Sequence, residues 1–333
     1  MEFPRSQTLR LDSDALVAEE LEKRRTRFRV LVCINGQDSS YEGLKLAAEL
    51  GRKNPLDVVL LYVRRVDQGL NSGGLQVRVA RQNMLDWGLE LPGIQYLKRG
   101  HEILLEHGFG GQDWVPMHSH TDVFGDPLGD NKIEFRSGKN RRIILKLKIA
   151  PTVTSGILDQ YELGPYNLVI LGPPKRWSSG LGSFTHPSTV EKAAKLSPCS
   201  VLTVKKAIDE NLGILICTDG TDRSTRAMRQ SAVFASSLGR AITIMSIAPE
   251  RGKLQTAERR VRAAKLALEK MGIEKVDTMT AVGKPAEEIV AVSDGFGMVI
   301  VADSGQSRLM RFLRGSTAFD VMHHAGTSVM VVR

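Results

Sequence analysis

Apolar residues in this chain fall into short unbroken runs, and the stretches between them carry helical spacing. The first run covers 29–35 and is of strand length. A polar turn follows, then apolar positions at Leu44, Ala47, Ala48 and Leu50, closed by Gly51. A second apolar run covers 57–63. A continuous apolar strand, an amphipathic helix and another such strand predict a right-handed βαβ unit in a parallel sheet. Further helices are expected at 79–91, 94–106, 152–162 and 188–195, with strands at 142–149, 166–171 and 200–204. Residues 113–140 are rich in Gly, Asp, His and Pro and read as an insertion, with 132–136 as a short strand and 137–140 as a turn.

From residue 212 the alternation becomes denser. Strands are expected at 213–218, 241–247, 276–282, 298–302 and 328–332, and helices at 222–238, 253–271 and 285–293. The third of these helices opens with Pro285 and has two acids in its first turn, as helix starts prefer. After the strand at 298–302 comes a loop holding Gly305, then Gly315-Ser316-Thr317 at the start of a last helix that stops near Gly326. Strand, glycine-bearing loop and helix N-terminus together present backbone N–H groups to a phosphate.

The second half repeats the first. Asn35-Gly-Gln-Asp-Ser-Ser40 matches Asp219-Gly-Thr-Asp-Arg-Ser224 just after the first strand of each copy. Leu50-Gly-Arg52 matches Leu238-Gly-Arg240, and 197–204 matches 325–332. Two copies of a doubly wound α/β unit account for this. The boundaries read as an N-terminal arm at 1–27, a first unit at 28–206 carrying the insertion, and a second unit at 211–333.

The composition excludes several classes. Apolar content of 42% and charged content of 25% suit a globular chain with buried cores. No apolar run approaches the roughly 20 residues that span a bilayer. The first residues lack a signal-peptide core, so a cytoplasmic location is expected. The net charge of +9 allows an anionic partner. However, the bases interleave with acids and only 5% of residues are aromatic, which argues against nucleic acid. Cys33, Cys199 and Cys217 have no metal-ligand spacing and read as small buried hydrophobes.

The second copy resembles the universal stress protein family over its length. Nucleotide-binding members of that family carry Gly, two residues, Gly, nine residues, then Gly-Ser/Thr. Here the spacing runs Ala302, two residues, Gly305, nine residues, Gly315-Ser316, and the first glycine alone departs. The first copy is similar to an enlarged, degenerate form, so the chain resembles a tandem universal stress protein. The resemblance implies two Rossmann-like domains of the adenine nucleotide alpha hydrolase-like kind. Each would be a five-stranded, mostly parallel sheet with helices on both faces. It implies bound ATP, with or without magnesium, and at most slow hydrolysis. Asp219 would face the ribose or adenine, Ile247 would offer backbone groups to adenine, and Gly283 would leave room for the nucleoside. Gly305, Gly315, Ser316 and Thr317 would hold the phosphates, with Ala302 at the mouth of the loop. Family members also dimerise through their last strands, which here implies pairing of 200–204 with 328–332 inside one chain, and a possible further homodimer.

The residues support this separately. Asp219 stands at the carboxyl end of a strand, where open α/β sheets place ligands. Ser316 suits an N-cap whose hydroxyl and following amides face an anion. Asp219-Gly220 also reads as a plain turn, and Ser316 as a cap without ligand. In the first copy Asn35 replaces the acid, Lys175 replaces a loop glycine, and Pro187-Ser188 stands where Gly-Ser would be. That copy is not expected to bind ATP in the family manner, although Lys175, Gly180 and Gly182 leave open another anion site. No P-loop is present, and His118-Ser-His120 is a weak metal candidate. The leading function is an ATP-binding sensor or switch. The alternative is a nucleotide-independent interaction module, such as a cytosolic regulator of a membrane transporter, acting through an unidentified protein partner.

Overall fold

The computed structural model describes residues 27–53, 55–66, 92–111, 114–123, 126–137, 141–161, 165–173, 189–303 and 316–333. The N-terminal arm, the helix expected at 79–91, the loop 174–188 and the loop 304–315 lie outside these residues. The described chain builds one twelve-stranded sheet. In the first half the strands are β1 (Phe28–Cys33), β2 (Leu56–Arg65), β3 (Val115–Val123), β4 (Asp126–Arg136), β5 (Arg142–Ala150), β6 (Leu168–Leu171) and β7 (Ser200–Thr203). The helices between them are α1 (Asp38–Lys53), α2 (Pro92–Glu106), α3 (Val153–Leu158) and α4 (Thr189–Leu196). The second half supplies β8 (Ile214–Cys217), α5 (Asp222–Ser237), β9 (Ile242–Ala248), α6 (Leu254–Glu269), β10 (Val276–Val282), α7 (Pro285–Val292), β11 (Met298–Ala302), α8 (Thr317–His324) and β12 (Ser328–Val332).

Across the sheet the order is β10-β9-β8-β11-β12-β7-β6-β1-β2-β5-β4-β3. Within each half the repeated strands are parallel, as their unbroken apolar sequences require. The halves meet where β7 pairs antiparallel with β12, aligning Leu202 with Met330. This is the pairing of closing strands expected from the resemblance, and it buries two mainly apolar edges that would otherwise recruit other strands. Side chains alternate between two cores, one on each face of the sheet and each running through both halves.

The strand registers superimpose the halves. Cys33 aligns with Leu61 and Leu171, as Cys217 aligns with Met245. Likewise Leu171 pairs with Thr203, and Val301 with Val331. By this count Lys205 and Arg333 are equivalent, each one residue past a buried Val. Each caps the last helix of the other half. Lys205 Nζ donates to the carbonyls of His323 and Ala325 at the end of α8. Arg333 donates to the carbonyls of Ala194, Ser197 and Cys199 at the end of α4. Cations belong at helix C-termini, where the dipole is negative and carbonyls lack partners. The burial that makes this contact dry also pushes the Lys205 ammonium down to about 8.

The first half departs from the expected five strands. Its parallel set is completed by β5 on β2, and the hairpin β3–β4 then extends the sheet by two antiparallel strands. The insertion is therefore a longer strand pair than the short strand expected at 132–136. Its Gly, Asp, His and Pro content hid β3, because an edge strand exposed on its faces has no apolar alternation to show. Among the described residues no helix is long and apolar enough to cross a membrane.

Candidate functional site

The site lies at the carboxyl end of the second half's parallel strands. β8 ends at Cys217, and Thr218 and Asp219 turn the chain into α5. The turn is built by local bonds. The Thr221 amide and hydroxyl donate to Asp219 Oδ1 at 2.9 and 2.7 Å, and the Asp219 amide donates to Ser224 Oγ at 3.1 Å. Thr221 also accepts from the Ser224 amide as the N-cap of α5. Partial burial works to raise the Asp219 carboxyl. The bonds from Thr221 and Ser224, with the Arg260 charge, outweigh it and hold the group below the usual carboxylate range. Asp219 is thus an exposed, ionised acceptor at the rim.

A cavity of about 450 Å³ opens below it. From the sequence-expected set it brings together Asp219, Ile247, Ala302, Ser316 and Thr317. Ile247 sits two residues beyond the point where the β8–β9 ladder ends at Met245, so its backbone lies past the last paired strand on that side. Ala302 ends β11, paired with Val332, and its methyl forms part of the wall. Ser316 precedes α8. Its carbonyl accepts from the amides of Phe319 and Asp320 at 2.9 Å, which leaves the earlier amides of the helix directed at the cavity end. Its side chain makes no capping bond. The Ser316 Oγ is buried, with no hydrogen-bond partner among the described residues.

Gly283 is not among the residues that line the cavity. Its amide donates to the Ala248 carbonyl at 2.9 Å, and a Cβ added there would strike the Glu288 carboxylate. The glycine therefore serves the tight start of α7, and Pro285 and Ile289 of that helix form the cavity wall instead. Gly305 and Gly315 lie outside the described residues.

The structure adds Arg223 and Asp303. Asp303 is 1% exposed, follows β11 directly and lines the cavity. Its Oδ2 meets Arg333 Nε at 3.2 Å and Arg223 Nη2 at 3.9 Å. The rule that placed Asp219 at a strand's carboxyl end applies equally to Asp303 and would have found it. Arg223 gave no sequence signal, because its role depends on how α5 lies across β11. Cys217 forms part of the wall, and burial pushes its thiol up to about 12, so it is a neutral packing group. No group of three or more His, Cys, Asp or Glu side chains suited to a metal occurs among the described residues.

The model of the universal stress protein family matches residues 213–333. None of the curated proteins matches the chain. Among solved structures, a universal stress protein from Archaeoglobus fulgidus aligns over 92% of this chain and 96% of that chain, at 14% identity and a TM-score of 0.60. A functionally unknown protein from Pseudomonas aeruginosa aligns over 93% of this chain and 94% of that chain, at 14% identity and a TM-score of 0.52. Both likenesses extend over the two halves of the chain. Residues 213–333 belong to the universal stress protein family, and the residues before them carry the same α/β fold in tandem.

Proposed function

We propose that the second half holds an adenine nucleotide, ATP in the leading case, and that the chain acts as a nucleotide-responsive regulator. The observation that carries this reading is the Ser316 hydroxyl, a buried polar atom without a partner among the described residues, set at the start of α8 and facing the cavity. Burying such a group without a hydrogen bond costs about 1–3 kcal/mol, so it implies an acceptor supplied from elsewhere. A phosphate oxygen meets that need, beside the first amides and positive dipole end of the helix. Across the cavity the ionised Asp219 suits the hydroxyls of a ribose, and Ile247 and Ile289 offer an apolar wall to a base. A volume of about 450 Å³ is within the range of nucleotide-sized pockets.

Catalysis is not the natural use of this arrangement. Asp219 is held low by its local bonds, away from the near-neutral pKa that favours a general base. The first half is expected not to share the site, since Asn35 and Pro173 stand where the second half has Asp219 and Asp303.

The test is direct. Acid extraction of the purified protein should release adenine nucleotide. Calorimetric titration of ATP should give a single class of site, weakened in Ser316→Ala and in Gly315→Val. No nucleotide in the extract, with no heat of binding at about 1 mM ATP, overturns the reading.

A further inference from the structure

The helices α5 and α6 pack side by side on one face of the sheet, through Met228 and Ala232 of the first and Val261 and Leu268 of the second. Their opposite sides face solvent. At helical spacing Arg226, Arg229 and Val233 fall along the outer crest of α5, and Arg259, Arg262 and Leu266 along that of α6. Each crest reads base, base, apolar residue over two turns. Lys270 and Met271 continue the second just past the helix end. Val233 is 53% exposed and Leu266 is 57% exposed.

Residues 222–275 hold twelve Lys and Arg against five Asp and Glu, so this stretch carries most of the net charge of +9. Among the described residues Arg226, Arg229, Lys265 and Lys270 form no ion pair and no side-chain hydrogen bond. Arg262 meets Glu258 at 3.6 Å in an exposed pair, which holds it weakly. The first half handles the same two helices differently. The repeat, aligned through Ser40 and Ser224, puts Glu42, Lys45 and Glu49 of α1 where α5 has Arg226, Arg229 and Val233. Lys45 pairs with Glu42 at 3.3 Å, and Glu49 with Arg240 at 2.9 Å. On α2, which holds the place of α6, Arg99 pairs with both Glu102 and Glu106. The fold therefore does not require basic crests. Neighbouring like charges on a helix repel, so the crests cost stability unless an anion meets them.

We propose that the outer face of α5 and α6 docks on an anionic lipid surface. The bases lie at headgroup level, where each adds to the attraction of acidic lipids. Val233, Leu266 and Met271 enter the acyl boundary between them, while the long Arg and Lys side chains bend back to the headgroups. Nucleic acid has no use for the apolar residues, and it lacks a ring to stack on. The one aromatic residue between 222 and 275 is Phe234, which packs against the core. A protein partner is recognised chiefly through aromatic anchors, among which Val and Leu are scarce.

The experiment is co-sedimentation of the full chain with phosphatidylcholine vesicles, with and without phosphatidylserine. The chain should pellet with the phosphatidylserine vesicles alone, and less as salt is raised. Charge reversal in the double variant Arg226→Glu, Arg229→Glu should weaken binding about tenfold or more, with the thermal midpoint kept, because both positions lie in solvent. Leu266→Ser should weaken it about threefold without changing the salt dependence. Lys45→Glu, the matching position on α1, should bind as the wild type does. No pelleting with phosphatidylserine, equal pelleting with phosphatidylcholine alone, or an equal loss in Lys45→Glu overturns the proposal. Binding to poly-glutamate or to duplex DNA that is lost in the double variant, with none to the vesicles, assigns the face to an acidic protein or to nucleic acid instead.

Discussion

The two halves share a backbone plan and differ in what they do with its carboxyl end. At the first strand's exit both make the same turn. Asn35 Oδ1 accepts from the Gln37 amide at 2.9 Å, as Asp219 Oδ1 accepts from the Thr221 amide at 2.9 Å. Ser40 Oγ accepts from the Asn35 amide at 3.3 Å, as Ser224 Oγ does from Asp219. Asn can make this turn as well as Asp, so the fold tolerates either. The charge is what distinguishes them, and only the second half keeps it. By strand register Gly172 and Pro173 stand where the second half has Ala302 and Asp303. Packing favours glycine at Gly172, since a Cβ there would come 3.2 Å from the Ser40 backbone, a tighter than usual contact. At Gly36 the Tyr96 ring closes over the turn, where Gly220 has the side chain of Arg260. The first half has therefore kept the structural part of the repeat and given up its polar cavity residues, while adding an edge hairpin.

The largest effect is expected at the seam that joins the halves. Arg333→Ala removes a partner of the buried Asp303 and the cap of α4 together. Removing the nearer partner of a buried charge in this way, with Arg223 left at 3.9 Å, costs about 3 kcal/mol, read as a lower midpoint in denaturant unfolding. Lys205→Ala, its equivalent, removes a cap without stranding an acid and should cost about 1 kcal/mol. Equal losses at the two positions would show that Asp303 is not the reason for the difference.

Next is Asp219→Asn, which gives the second half the turn residue of the first. ATP affinity should fall about tenfold by calorimetry, with the unfolding midpoint nearly unchanged. The reverse change, Asn35→Asp, should confer no binding. A binding-competent Asn35→Asp variant would mean the first half lacks only a charge.

Ser316→Ala separates a ligand contact from a cap. A capping serine would lose about 1 kcal/mol of stability without any ligand. Because Ser316 makes no capping bond and its buried hydroxyl has no partner among the described residues, the unliganded variant should be at least as stable as the wild type, while ATP affinity drops about fivefold.

The smallest effect is a pH dependence at Lys205. Burial lowers its folded pKa to about 8, below the unfolded value, so the unfolded chain binds more protons between about 8 and 10.5. The stability of the wild type relative to Lys205→Met should therefore rise with pH across that window. It should be flat below pH 8, where both states carry the charge. Parallel curves throughout would show that the ammonium is solvated at the seam.

Much of this was legible in the chain. Apolar runs of strand length such as those of β1 and β12, bounded by turn residues, read as strands buried on both faces, and their repetition after comparable helices reports a tandem parallel fold. Asp219 and Ser316 were legible for a local reason, since a polar residue at a strand exit or helix start is placed by its neighbours in sequence. Gly283 was legible only as a point of close approach, because a glycine does not name what approaches it. Arg223 and the Arg333–Asp303 pair were invisible, because they depend on helices and strands that meet only when the sheet is assembled. The same is true of β3, whose exposed faces leave no periodicity.

The sequence by itself therefore determined the order of the repeated strands and helices, the repeat, and the loss of charge at Asn35, all of which are short-range properties of residues and spacing. Tertiary structure alone decided that the β3–β4 hairpin extends the sheet, that Lys205 and Arg333 exchange caps across the seam, and that Asp219, Ile247, Ser316 and Asp303 surround one cavity. These positions are brought together by strand register and packing, which act over separations that no local pattern encodes.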